Sequence, residues 1–384
     1  MDFQDFYSEA VGLNLKGRYL TNKHIEPLLN KAKKYFSVTV AGESVLGKPI
    51  FSITAGSGKT RIFIWSQMHG NESTTTKSIF DFMNFFSGES LLAAKFKQQF
   101  TFLILPIVNP DGAELYTREN ANGVDLNRDS VNLTQPESIL LRRCFDEFKP
   151  DFAYNMHDQR SIFGVGDTGQ PATVSFLAPS FNEDRDINEC RQTAINVIAA
   201  MNETLQKIIP GQVGRFDDSF NINCIGDMCQ SMGVPTILIE AGHYPGDYDR
   251  EQTRKCIFLA LLSGFNAISE NVIVVNKRVD YFDIPQNKIN FYDFIYKNVK
   301  INYENKQIIT NFASHYREVV IEDTVIFEAY IKEIGNLDGF YGHREYDLDG
   351  AVFLGKDGSL QPEVDKRADF SLSSGRIFVN GKEE

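Results

Sequence analysis

Several absences narrow the possibilities before any motif is read. No window approaches the roughly 18 uninterrupted apolar residues that a membrane-spanning helix needs. The opening stretch "MDFQDFYSEAVGLNLKGRY" carries early acids and lacks a basic segment followed by an apolar run, so no secretory leader is read in it. The chain has no surplus of positive charge. A formal net charge of -12 argues against general affinity for nucleic acid or for anionic membrane surfaces, and neither is an expected partner. Cysteine is sparse and odd in number, with Cys144, Cys190, Cys224, Cys229 and Cys256. Such a set does not make a disulfide framework and suits a reducing compartment, so the expected location is the cytoplasm. Four residues separate Cys224 from Cys229, wider than a zinc-knuckle spacing, so these thiols are read as buried or idle. Low-complexity tracts and internal repeats are also missing.

What is present suits a well-filled globular fold. Apolar residues make up 42% of the chain, with 31 Phe and 15 Tyr, enough for a large core. At 384 residues there is room for two domains. Residues 1–40 read as a helical extension, with Ile25, Leu28, Leu29 and Ala32 at helical spacing. "FSVTVAGESVLGKPIFSITAG" alternates around a turn and reads as a hairpin. "RIFIWSQ", "TFLILPIV", "DFAYNMH", "TVSFLAP" and "PTILIEAG" are short apolar runs typical of strands buried on both faces. Helices are expected at "TTTKSIFDFMNFF", from about Asp184 to Lys207, and from about Asp249 to Ser269. Buried strands alternating with helices imply an α/β fold, a three-layer α/β/α sandwich around a mixed, largely parallel sheet over residues 41–275. From residue 285 to 384 strand-like runs and turn signals replace helices, which predicts a small β-rich accessory domain.

Two signatures stand close together in "ITAGSGKTRIFIWSQMHGNEST". "GSGKT" suggests a phosphate-binding loop, but the first glycine such a loop requires would fall at Ile53. The segment after Thr60 is a strand, so no helix N-terminus faces a phosphate there. "GSGKT" is therefore a turn between strands. "HGNE" is different, because His69 and Glu72 follow a buried strand directly and can converge on one cation. His157, in "YNMHDQ", also ends a buried strand, at the edge where open α/β sheets place their ligands. Two histidines and a glutamate make a donor set for one Zn2+ per chain, with a position left for water. Glu240, ending the apolar run "PTILIEAG", is a candidate base.

In chain order, "MHGNE", "PIVNPDGAELYTRENANGVDLNRD", "NMHD" and "ILIEAG" resemble the zinc metallocarboxypeptidases, over roughly residues 40 to 270. The resemblance is closer to bacterial members, including murein-peptide amidases, than to secreted digestive enzymes. It implies that His69, Glu72 and His157 hold the zinc, and that Glu240 acts as general base. It also implies that Arg118 stabilises the oxyanion, and that Asn127 and Arg128 bind the substrate's terminal carboxylate. Asp125 is implied to accept a hydrogen bond from the far nitrogen of His69. The implied substrate is a peptide or an N-acyl amino acid with a free carboxylate; a peptidoglycan-peptide amidase, a deacylase and a non-catalytic zinc-binding protein are the alternatives. Secreted relatives place a mobile Tyr upstream of the base, and "GRFDDSFNINCIGDMCQSMG" has none. His243 and Tyr244, just past Glu240, are the expected substitutes.

Overall fold

The computed structural model describes residues 3–11, 15–271, 278–304 and 306–384. It divides into two compact units, one of residues 1–159 and 172–287, the other of 160–171 and 288–384. In chain order the first unit contains α1 (Gln4–Ala10), α2 (Asn22–Ala32), β1 (Ser37–Glu43), β2 (Pro49–Gly56), β3 (Thr60–Ser66), α3 (Thr74–Ser87), α4 (Leu91–Gln99), β4 (Phe100–Leu105), α5 (Pro110–Leu115), α6 (Pro136–Phe148) and β5 (Phe152–Asp158). After β6 (Phe163–Val165), which falls in the second unit, it continues with β7 (Val174–Leu177), α7 (Glu189–Leu205), β8 (Val213–Arg215), α8 (Ile225–Ser231), β9 (Thr236–Ala241), α9 (Glu251–Ser269) and α10 (Arg278–Phe282).

Eight strands form one sheet in the order β1-β2-β4-β3-β5-β9-β7-β8. The central β4-β3-β5-β9 are mutually parallel, whereas β1/β2, β2/β4 and β7/β9 are antiparallel. This is the mixed, largely parallel sheet expected. Strands buried on both faces explain their unbroken apolar runs. Ile62 and Ile64 of β3 face a core shared with α3, α4, α7 and α9, while Phe63 and Trp65 face a second core with α6 and α8. No helix among the described residues is long and apolar enough to cross a membrane.

The structure departs from the sequence reading at particular points. Phe3, Ala10, Ile25 and Leu29 of the N-terminal helices are buried in the main core, and this segment groups with the first unit. Helix α7 starts at Glu189 and not near Asp184, because the Asn188 side chain accepts from Arg191 N at 2.9 Å and caps it there. Helices α4, α6 and α8 were not apparent from periodicity, being short or only partly apolar. Residues 160–171 group with the second unit, and β6 pairs with β10 (Asn287–Ile289). The boundary placed at residue 275 lies outside the described residues.

The second unit is β-rich. A four-stranded sheet runs β13 (Thr324–Gly335), β12 (Lys306–Ile321), β11 (Phe291–Tyr303) and β14 (Tyr341–Asp347). A smaller one joins β15 (Phe353–Gly355), β16 (Phe370–Leu372), β17 (Ile377–Val379) and β18 (Lys382–Glu383). Phe294, Tyr296, Phe312, Phe370 and Phe378 fill its own core.

Candidate active site

The site begins where β3 ends. Gln67 is fully buried in the left-handed region at φ 49°. Its Nε2 donates to the carbonyls of Leu20 at 2.7 Å and Gly70 at 2.9 Å, which holds the turn that presents His69. Gly70 cannot be replaced without rearrangement, because a Cβ there would lie 1.9 Å from the backbone carbon of Gly112. Asn109 braces the same junction. Its Oδ1 accepts from Gly112 N at 2.8 Å, and its Nδ2 donates to the carbonyls of Met68 and Glu119, each at 3.2 Å. The "VNPDG" motif is thus the buttress of "MHGNE".

Glu72 is set by the start of α3. The Asp158 carboxylate accepts from Thr74 N at 2.9 Å and Thr75 N at 3.2 Å, compensating the helix N-terminus, while Asp158 N donates to Glu72 Oε2 at 3.1 Å. Asp158 was not singled out from the sequence, although the acid directly after His157 at a strand end was a visible signal.

The three expected ligands converge. His69 Nδ1 lies 2.8 Å from Glu72 Oε1, His157 Nδ1 lies 2.8 Å from Glu72 Oε2, and the two Nδ1 atoms are 3.2 Å apart. One donor atom from each residue falls within 4.8 Å of the others, and all three side chains are buried. Asp125 Oδ1 receives His69 Nε2 at 3.0 Å, which keeps the proton on Nε2 and turns the Nδ1 lone pair inward. Burial pushes the His157 pKa down and favours the neutral form that ligates metal. Burial works against the Glu72 carboxylate, yet His69 and His157 outweigh it and hold its pKa well below the usual carboxylate range. For His69, burial is likewise outweighed, by Glu72 and Asp125, and its pKa rises. Two imidazoles and one carboxylate around a small buried space fit zinc, and do not match the all-oxygen sets of calcium or magnesium.

Asp125 joins the trio to the other predicted residues. Its carboxylate also accepts from Arg118 Nε at 3.1 Å and Asn127 N at 2.9 Å. Burial opposes its charge, but the His69 hydrogen bond and the Arg118 charge prevail and lower its pKa. The Arg118 guanidinium reaches the trio directly, with Nη1 3.2 Å from His69 Nδ1 and 3.4 Å from Glu72 Oε1. The Asn127 side-chain oxygen accepts from Ile225 N at 3.0 Å, which orients its amide nitrogen away from that contact. Arg128 is exposed, with Nη1 on the Asn127 carbonyl at 2.7 Å.

Glu240 ends β9 in direct register with His157 of β5. Neighbouring in-register side chains point to the same face, so the acid and the ligand share one side of the sheet. Glu240 Oε2 is buried and has no hydrogen-bond partner. Burial raises the Glu240 pKa well above its ordinary value, and the nearby Glu72 and Asp158 charges add to this. His243 and Tyr244 follow just after β9. Tyr244 packs against the main core, and His243 is 2% exposed with its ring 4.5 Å from that of Tyr248.

With this geometry in hand, residues 21–161 match the family model described as Peptidase_M14, zinc carboxypeptidase. "Carboxypeptidase 2" of Trichophyton tonsurans is 30% identical over 118 residues, 31% of this chain and 21% of that protein. "Gamma-D-glutamyl-L-diamino acid endopeptidase 1" of Lysinibacillus sphaericus is 34% identical over 95 residues, 23% of this chain and 24% of that protein. The chain thus spans only 19% to 24% of the length of these and similar curated relatives. Among solved structures, a metallo-carboxypeptidase from Burkholderia cenocepacia superimposes with a TM-score of 0.52 at 16% identity, covering 66% of this chain and 70% of that one. A putative carboxypeptidase A from Shewanella denitrificans gives 0.55 at 16%, covering 65% and 69%. These likenesses bear out the fold and the family resemblance read from the motifs.

Proposed function

We propose, from the premise that residues 21–161 belong to the zinc carboxypeptidase family, that this chain is a zinc-dependent hydrolase cutting the amide bond next to a C-terminal residue. The observation that carries the reading is the buried His69–Glu72–His157 convergence with Glu240 in register beside it. Zinc held there supplies Lewis acidity, which polarises a carbonyl and eases deprotonation of water. Glu240 accepts the proton of the attacking water and returns it to the leaving amine. Its partner-free, desolvated Oε2 supports that role, because raised basicity is what a proton shuttle needs. Arg118, tethered by Asp125, neutralises the oxyanion as the carbonyl becomes tetrahedral. Arg128 and the amide of Asn127 grip the substrate's terminal carboxylate, a group that suits a planar guanidinium. The cytoplasm is the proposed location, supported by five free cysteines.

The second reading is an amidase acting on peptidoglycan peptides. It is favoured by the similarity to the Lysinibacillus endopeptidase over 95 residues. Mass spectrometry of a mixed peptide pool, murein peptides included, tests both. Loss of single C-terminal residues with wild type, absent with Glu240→Gln that still binds zinc, is the expected result. Identical spectra for the two proteins would sink the hydrolase reading.

A further inference from the structure

Asn155 of β5 is 1% exposed, and neither Oδ1 nor Nδ2 has a hydrogen-bond partner. Buried amides are rarely left this way, because an unpaired donor or acceptor keeps its full desolvation cost. The position makes it informative. Asn155 lies two residues before His157, hence on the same face of the sheet. Its register partner on β9, Leu238, lies two residues before Glu240. The amide therefore sits one row below the metal ligand and the base.

Helix α8 lies over it. A Cβ on Gly226 would be 3.5 Å from Asn155 Nδ2 and 3.2 Å from Pro179 Cγ, so the bare glycine lets α8 come this close to the amide without crowding Pro179. The preceding residue, Ile225, donates its N–H to Asn127, one of the two residues assigned to the terminal carboxylate. The carboxylate grip and the unpaired amide are thus joined through consecutive residues of α8. In a C-terminal amino acid, carboxylate and side chain leave the same carbon, so a residue gripped at Asn127 would carry its side chain close to α8 and the Asn155 beneath it.

Resting on the function proposed above, we propose that Asn155 reads the side chain of the residue released, and that it selects a carboxamide, Gln or Asn. A carboxamide offers the same one acceptor and two donors that Asn155 leaves unused. An apolar side chain leaves the Asn155 amide unpaired, and a charged one is desolvated against a neutral group.

The test compares kcat/KM on matched peptides ending in Gln, Leu, Lys and Glu for wild type and Asn155→Leu. Calorimetric binding of free Gln and free Leu to the Glu240→Gln variant runs in parallel. Wild type is expected to favour the Gln-ended peptide over the Leu-ended one by about 10- to 100-fold, the range for a buried polar group left unpaired. Asn155→Leu is expected to reverse that order. Where Asn155→Leu does not fold, the isosteric Asn155→Asp is expected to lose the Gln preference and gain on Lys-ended peptide. Preference for Leu in wild type, or an unchanged Gln preference in the variant, overturns the assignment. Should wild type cleave none of these peptides, the hydrolase reading fails separately, and the binding arm decides Asn155 alone. Gln bound at least about tenfold tighter than Leu upholds it, and equal binding overturns it.

Discussion

Replacing Asp125 by Ala probes the most connected residue of the site. Its carboxylate holds three groups at once: His69 Nε2 at 3.0 Å, Arg118 Nε at 3.1 Å and Asn127 N at 2.9 Å. The first contact fixes the imidazole tautomer, and losing such an outer hydrogen bond weakens metal binding by about 10- to 100-fold. At about 1.4 kcal/mol per tenfold, that is roughly 1.4 to 2.8 kcal/mol. The second and third contacts hold Arg118 and the Asn127 turn, to which the proposed function assigns the oxyanion and the terminal carboxylate, so turnover is expected to fall further than zinc affinity does. Asp125→Asn separates the two effects. Its oxygen can still accept from His69, but its NH2 then meets the Arg118 donors, so zinc affinity is largely kept while kcat drops. Zinc affinity is measured by competition with a chromophoric chelator at fixed pH, and kcat at saturating zinc. An Asp125→Ala variant that binds zinc within twofold of wild type would refute the argument that this hydrogen bond organises the metal centre.

Two further predictions concern the scaffold. Burial pushes the carboxyl of Asp227 on α8 up to about 7. Its folded pKa lies above its unfolded one, so its stabilising contribution is complete below about pH 4 and disappears as pH rises through about 7. Asp227→Asn should therefore flatten the decline in stability across that window, up to about 4 kcal/mol, as read from urea midpoints at pH 4 and pH 8. A wild-type curve already flat there would count against it. Gly70→Ala forces a methyl group onto the Gly112 backbone, and overpacking of this kind typically costs about 1–3 kcal/mol or more. Because the displaced turn carries His69, a lower Tm should be accompanied by weaker zinc binding; normal values of both would mean that the junction yields easily.

Much of the site was legible because its chemistry sits at strand ends. An apolar strand must stop where a polar side chain appears, so "RIFIWSQMHGNE", "DFAYNMHD" and "PTILIEAG" announce where His69, Glu72, His157 and Glu240 stand. Asp125 was assigned from the motif, and the 3.0 Å hydrogen bond to His69 shows what it touches. Asn155 looked like one more residue of a buried strand. That its amide lacks a partner depends on what packs above it, and α8 is too short for periodicity to reveal. Which way the ring of Tyr244 packs was likewise not legible, since closeness in sequence to Glu240 does not decide where a turn sends a side chain.

The sequence by itself determined the alternation of buried strands and helices, the donor types and their order along the chain, because these follow from hydrophobic pattern and local chemistry. Only the tertiary structure decided that β9 lies beside β5 in the register that sets Glu240 next to His157. It alone decided that Gly70 meets Gly112 and that residues 160–171 group with the β-rich unit. Strand order, register and backbone contact join residues that are far apart in the chain, and they are settled by how the whole core packs.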